Sequence, residues 1–425
     1  MRRARWRWLA VGVAALGAAA VVFVWPVMND LAAPRALPWA SPARAVDAQQ
    51  VQRGAYLARA GHCAGCHTAP GGAAYAGGRG IDTPFGTVYA SNLTPDAVTG
   101  LGRWSADDFW QALHHGRSRD GRLLNPVFPY TNTTRVSRDD ADALYAYLRS
   151  LPPVAQPNRT HALRWPYNTQ WALAVWRRLY FRPGVYAVEP AQSVAWNRGA
   201  YLVQGLGHCA ACHSPRNALG AASAESFEGG LIPAQGWVAP SLHAADAAGV
   251  QGWPLADVVA LLQTGVSPRA SVQGPMAEVV YGSTQYLSQE DVGAMAVYLQ
   301  SLPVQSARSV APAARADAAQ WRLGEQRYRD HCARCHGEQG EGAAGAYPAL
   351  AGNRAVVAAD PGNLLRTLLQ GGYLPATAGN PRPYGMPPFG PVLTDVELAA
   401  VATYLRQAWG HRAAAVTALQ VQNAR

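Results

Sequence analysis

A chain of 425 residues, 49% of them hydrophobic, has ample material for packed cores and leaves room for about three domains. Its net charge of +10 comes from 36 basic residues, every one an arginine, against 26 acids, and four of the arginines crowd the first seven positions. No basic run interleaved with aromatics follows them, so the charge does not describe a nucleic-acid-binding surface and no nucleic-acid partner is expected.

Arg2, Arg3, Arg5 and Arg7 precede an apolar run from Trp8 to Met28. At about 1.5 Å per residue the run reaches about 30 Å, the thickness of a bilayer's hydrocarbon core. The arginines belong on the cytoplasmic side, and Trp6, Trp8 and Trp25 stand where interfacial aromatics gather. Residues 1–28 are therefore expected to anchor the chain in the inner membrane as a transmembrane helix, with the remainder in the periplasm. A cleaved secretory signal is the alternative, although its best small-x-small site, Ala43-Arg44-Ala45, lies well beyond the run. Residues 29–46, with Pro34, Pro38 and Pro42, read as an extended tether.

Beyond the tether the chain repeats itself. Cys63-Ala64-Gly65-Cys66-His67, Cys209-Ala210-Ala211-Cys212-His213 and Cys332-Ala333-Arg334-Cys335-His336 share the pattern C-x-x-C-H, the attachment site of a c-type haem. Two cysteines on one helical turn reach the two haem vinyl groups, and the adjoining histidine lies beneath the iron as its proximal ligand. All six cysteines belong to these motifs, which leaves none for a disulfide, a zinc site or a nucleophile. Three covalently bound haems c are expected.

Each motif sits in a longer unit. Arg53-Gly54-Ala55-Tyr56-Leu57 precedes the first and Arg198-Gly199-Ala200-Tyr201-Leu202 the second, with a looser echo in Gly324 and Tyr328 before the third. Each unit closes on a segment with helical apolar spacing that carries Tyr147-Leu148, Tyr298-Leu299 or Tyr404-Leu405, and Pro152 and Pro303 stop the first two. The predicted architecture is mainly α: three tandem class I cytochrome c domains at 47–155, 190–305 and 317–411, behind the N-terminal transmembrane helix. Between the first two, residues 156–189 hold Trp165, Trp171, Trp176 and Tyr180 and read as a linker helix, packed on a haem domain or facing membrane or quinone. Residues 306–316 read as a linker and 412–425 as a tail without a signal.

Pure electron transfer calls for a sixth iron ligand, and thioether sulfur raises the potential. Of five methionines, Met1 starts the chain, Met28 ends the apolar run and Met295 lies within a closing helix as a core residue. Met276, after Gly274-Pro275, and Met386, before Pro387-Pro388, are left as the distal ligands of domains 2 and 3. Domain 1 has Phe128 in the matching stretch. Its haem is expected either to lack a side-chain sixth ligand or to take a histidine, with His114, His115 and His161 as candidates. His62 is matched by His208 and His331 and is read as structural.

With these features in place, the chain resembles the three-haem cytochrome c subunit of membrane-bound bacterial dehydrogenases of the alcohol, aldehyde and gluconate types. The likeness runs over residues 47–411. It rests on Trp196-Asn197-Arg198-Gly199-Ala200-Tyr201-Leu202 leading to Gly207-His208-Cys209, on Gly274-Pro275-Met276-Ala277-Glu278-Val279-Val280, on Trp165-Pro166-Tyr167-Asn168, and on the Met386 loop running into Leu393-Thr394-Asp395. The resemblance implies a large catalytic dehydrogenase subunit as electron donor and membrane ubiquinone as acceptor, with no substrate chemistry in this chain. Phe128 departs from the methionine of many such relatives. Two other functions remain open: an electron carrier of a terminal oxidase or other respiratory complex, and a catalytic haem enzyme working at an open first haem.

Overall fold

The structure, a computed structural model, describes residues 25, 27–31, 47–305 and 314–425. Most of the expected anchor, most of the tether and most of the second linker lie outside these residues. Among the described residues no helix is long and apolar enough to cross a membrane. Contacts gather the described residues into two compact units, those of 1–54 with 67–186 and those of 55–66 with 187–425, so the expected domains 2 and 3 fall within one unit.

The molecule is mainly helical, and one pairing of helices occurs three times. The first partners are α1 (Ala48–Ala60), α6 (Val194–Gln204) and α11 (Ala318–His331); the second are α4 (Arg138–Ser150), α10 (Gln289–Gln300) and α14 (Asp395–Gln407). Each pair meets at a glycine. A Cβ on Gly54, Gly199 or Gly324 would overlap the carbonyl of Ala143, Ala294 or Ala400, and would press on the Cβ of Tyr147, Tyr298 or Tyr404. The glycine and tyrosine echoes of the sequence are thus two halves of one backbone-to-backbone crossing, which a side chain would prevent.

The second partners also start alike. Ser137, Ser288 and Thr394 are N-caps, their hydroxyls accepting the N–H of Asp140, Asp291 and Glu397. Those acids then bind arginines of the first helix of each pair: Arg53 to Asp140, Arg198 to Asp291 at 2.7 Å, and Arg327 to Glu397 at 3.0 Å. Apolar faces close the interface, with Leu398, Ala399, Ala400, Val401 and Ala402 all buried along α14.

Between the paired helices stand the short motif helices α2 (Cys63–His67), α7 (Ala210–His213) and α12 (Ala333–His336), and the helices α3 (Ala106–His115), α8 (Leu255–Thr264) and α13 (Gly362–Gln370). The linker of 156–189 does contain a helix, α5 (Gln170–Tyr180), capped by Thr169. The first unit adds a small antiparallel sheet, β1 (Gly80–Thr83), β2 (Gly86–Tyr89) and β3 (Ala162–Leu163), with Ile81 opposite Val88 and Gly86 opposite Leu163. Residues 412–425, set apart as a tail, form α15 (Ala418–Ala424) and pack on the third helix pair, burying Val416 and Val421. Arg406, fully buried, donates to the carbonyls of Val356, Ala358 and Ala414 and so ties that tail in.

Candidate haem centres

Each motif histidine is oriented by a backbone carbonyl. His67 Nδ1–H donates to Ser91 O (2.7 Å), His213 Nδ1–H to Pro240 O (2.8 Å) and His336 Nδ1–H to Pro348 O (2.9 Å). The proton is thereby placed on Nδ1 and the lone pair on Nε2, the arrangement a metal-binding imidazole needs. Burial lowers the pKa of all three rings and keeps them neutral. Burial, reinforced by the second cysteine of each motif, pushes the Cys63, Cys209 and Cys332 thiols up to about 12. Such thiols are protonated at neutral pH while no group is bound to them.

The second centre has a cavity of about 280 Å³ with an apolar wall. Cys209, Cys212 and His213 line it, and so does Met276. Local chemistry presents Met276: Gly274 adopts φ 50 with the Trp237 ring where a Cβ would go, Pro275 starts α9 (Pro275–Gly282), and the methionine follows in its first turn. Val258, Leu261 and Leu262 of α8 form another wall, with Met295 and Leu299 of α10 beyond. Met295 is a buried core residue, as expected. Residues 317–411 complete the cavity: Arg354, held by Gly249 O at 2.6 Å and set over the Trp253 ring at 4.9 Å, lines it together with Asn363. The donor set, the apolar lining and one cationic group fit a haem with its carboxylates.

In the third centre Met386 pairs through Gly385–Met386 with Gly372–Tyr373 and packs, partly buried, on the core that contains Cys332, Ala333 and Phe389. Gly371 at φ 68 lies under the Met386 carbonyl, where no side chain fits.

The first centre is matched to the second by hydrogen bonds. α3 and α8 end on left-handed glycines, Gly116 and Gly265. Leu124 N–H donates to Gly116 O and Val272 N–H to Gly265 O. Four residues beyond lie Phe128 and Met276, and Thr133 and Thr284 then donate to Leu113 O and Leu262 O. Counted from the first of these bonds, Phe128 falls where Met276 stands, with three more residues between Met276 and Thr284 than between Phe128 and Thr133. His114 and His115 fall in register with Gln263 and Thr264, outside the stretch of α8 that lines the second cavity.

The carbonyls of Ser91, Pro240 and Pro348 and the contribution of Arg354 were not foreseen from sequence. A backbone acceptor leaves no side-chain signal, and Arg354 belongs to the following repeat.

Three C-x-x-C-H helices, each with a carbonyl-oriented histidine, define a c-type cytochrome. The cytochrome c family model matches residues 51–152 and 322–409. Over 400 residues the chain is 38% identical to the cytochrome c subunit of alcohol dehydrogenase (quinone) from Gluconacetobacter polyoxogenes, covering 89% of this chain and 85% of that one. It is 39% identical to the gluconate 2-dehydrogenase cytochrome c subunit of Pantoea cypripedii, over 88% of this chain and 89% of that protein. It is 42% identical to a subunit of nicotinate dehydrogenase from Pseudomonas putida, over 89% of this chain but 32% of that longer protein. The chain belongs to the family of cytochrome c electron-transfer subunits of quinone-linked dehydrogenases.

Proposed function

We propose that this chain carries three haems c and passes electrons from a catalytic dehydrogenase subunit, working in the periplasm, to ubiquinone in the membrane. The observation that carries the reading is the repetition of a complete motif with its histidine oriented by a carbonyl, at His67, His213 and His336, in a chain with no cysteine outside the motifs. A haem so held supplies a one-electron ferric/ferrous couple. Cys63, Cys66, Cys209, Cys212, Cys332 and Cys335 hold the groups, and Met276 and Met386 are the distal ligands of the second and third. The apolar wall of the second cavity would limit reorganisation around the group held there.

Two contacts support transfer between neighbouring centres. His208, next to the second motif, donates from Nε2 to Gly61 O, next to the first, at 3.4 Å. Arg354 and Asn363, from the repeat that holds the third motif, form part of the second cavity. Membrane attachment is supported by the apolar N-terminal run and by exposed Trp165 and Trp171, followed by exposed Leu179 and Tyr180 with Arg182 beside them.

The dehydrogenase partner is left at the level of class, since the relatives are named for alcohol, gluconate and nicotinate. Affinity purification of the full chain from its native membranes tests the reading. Co-purification of a large dehydrogenase, with substrate-dependent ubiquinone reduction lost when the chain is removed, is expected. A terminal oxidase or another respiratory complex in its place, or turnover of a substrate by the chain alone, would refute it.

A further inference from the structure

We propose that the first haem has no side-chain ligand on its distal face, where Phe128 replaces the thioether, and that this centre binds small exogenous iron ligands such as carbon monoxide while the other two do not. The proposal rests on the reading that His67 holds the iron of a first haem.

The argument is an inventory of donors. Besides methionine, the side chains that ligate haem iron in cytochromes of this kind are histidine and lysine, and the chain has eleven histidines, five methionines and no lysine. Met276 and Met386 are assigned to the other two centres, Met295 is buried in α10, Met28 is exposed and Met1 lies outside the described residues; every histidine lies among them. His67, His213 and His336 are the motif ligands. In the second unit His243 is bonded at both ring nitrogens, to Pro303 O and Ser226 O, and His411 likewise, to Leu405 O and Gly352 N. His208 is joined to Gly61 O and His331 stands edge-on to Phe389. His62 immediately precedes the first cysteine, on the attachment side, with its ring against Gly65.

Three candidates remain, all in the first unit. His114 is buried, stacks on Trp110 with ring centroids 4.4 Å apart, and faces Thr134 Oγ1 at 3.4 Å. His115 stands edge-on to it. Both hold the register of Gln263 and Thr264, whereas the positions of Val258 and Leu262, which line the second cavity, are filled in α3 by Phe109 and Leu113. His161 accepts the Tyr89 N–H at Nδ1 (3.2 Å), which puts its proton on Nε2 and leaves no lone pair for iron. Tyr89 lies two residues before Ser91, whose carbonyl holds His67, so His161 belongs to the proximal side.

The distal wall is then aromatic and aliphatic: Phe128, with Phe109 and Leu113 by register. Such a pocket favours a neutral π-acceptor over an anion, since distal polarity decides which small ligands a haem accepts.

The test uses full-length holoprotein, reduced with dithionite and titrated with carbon monoxide, with haems counted on the same sample by intact mass. Three haems of which one is high-spin and binds carbon monoxide is the expected result. F128M should abolish that binding and convert the high-spin third to low-spin. Three low-spin haems without carbon monoxide binding would overturn the ligation proposal alone; fewer than three haems would overturn the haem count on which it rests. Should F128M fail to mature, H114A, H115A and H161A decide. Each is expected to leave the high-spin fraction unchanged, and the appearance of a new carbon monoxide-binding haem in any of them would identify that histidine as a ligand and defeat the proposal.

Discussion

At the residue scale, the side chains that matter most are those with no substitute in the chain. Met276 is presented to the second cavity by a left-handed glycine and an N-terminal proline, so replacing it by leucine keeps the shape and removes the sulfur. Met276→Leu should lower the midpoint potential of one haem and leave the others in place, as read by potentiometric titration, because thioether ligation raises the potential. Asp291 makes a second residue-scale prediction. Burial works to raise its pKa, but Arg198 at 2.7 and 2.8 Å and the Tyr56 hydroxyl at 2.5 Å outweigh it and hold the carboxyl below its usual range. A depressed folded-state pKa contributes stability that is complete above the unfolded value, about 3.9, and is lost as pH falls through the folded value beneath it. Asp291→Asn should therefore lower the melting temperature at neutral pH and flatten the acid limb of the melting curve below about pH 4.

At the element scale, the paired helices hold glycines with opposite assignments. Gly199 lies against the Ala294 carbonyl, and a valine there forces α6 and α10 apart. The expected loss is at least about 1–3 kcal/mol, the cost of overpacking a core. Gly293, one residue from that contact, sits inside α10, and a Cβ added to it would meet nothing within 4 Å. Gly293→Ala should stabilise by about 0.5–1 kcal/mol, since glycine in a helix interior is unfavourable by that amount. Denaturant titration of the two variants checks both signs. These elements were largely legible in the sequence. The Arg-Gly-Ala-Tyr-Leu echo marks the first helix of the pair and the Tyr-Leu echo the second, and the structure joins them at one crossing. What could not be read was how the first site is held. Its motif histidine finds the Ser91 carbonyl across a loop whose side chains say nothing of that bond. The sequence leaves His114, His115 and His161 open for its iron, and the structure sets the first two in register with Gln263 and Thr264 at the ends of α3 and α8.

At the scale of the whole molecule, the repeats do not end where their motif patterns end. The stretch beyond His411 carries only scattered apolar residues, yet Val416 and Val421 are buried and Thr403 bonds to the Val416 N–H and carbonyl. Deleting residues 412–425 should expose that face and uncover the carbonyl-bound guanidinium of Arg406, fully buried in the intact chain. The truncated protein is expected to lose the third haem preferentially, or to unfold there first, which limited proteolysis with haem-stained peptide mapping would detect; full haem occupancy and unchanged protease resistance would count against the assignment. The second cavity shows the same thing from the other side, since its wall takes Arg354 and Asn363 from the next repeat. Short-range patterns locate each motif but are silent on which repeat finishes it.

The acceptors of the three motif histidines are a serine and two prolines, alike in nothing but the peptide carbonyl each must carry. No point mutation deletes a peptide carbonyl, so this half of each centre is buffered against genetic drift. Its side chains are at liberty to change without altering the push that the imidazole receives. On the proposed ligation, divergence between the three copies is then channelled to the opposite face of the ring, where one codon separates a sulfur from a phenyl group. A chain built this way can retune its redox ladder one rung at a time while the attachment chemistry stays fixed.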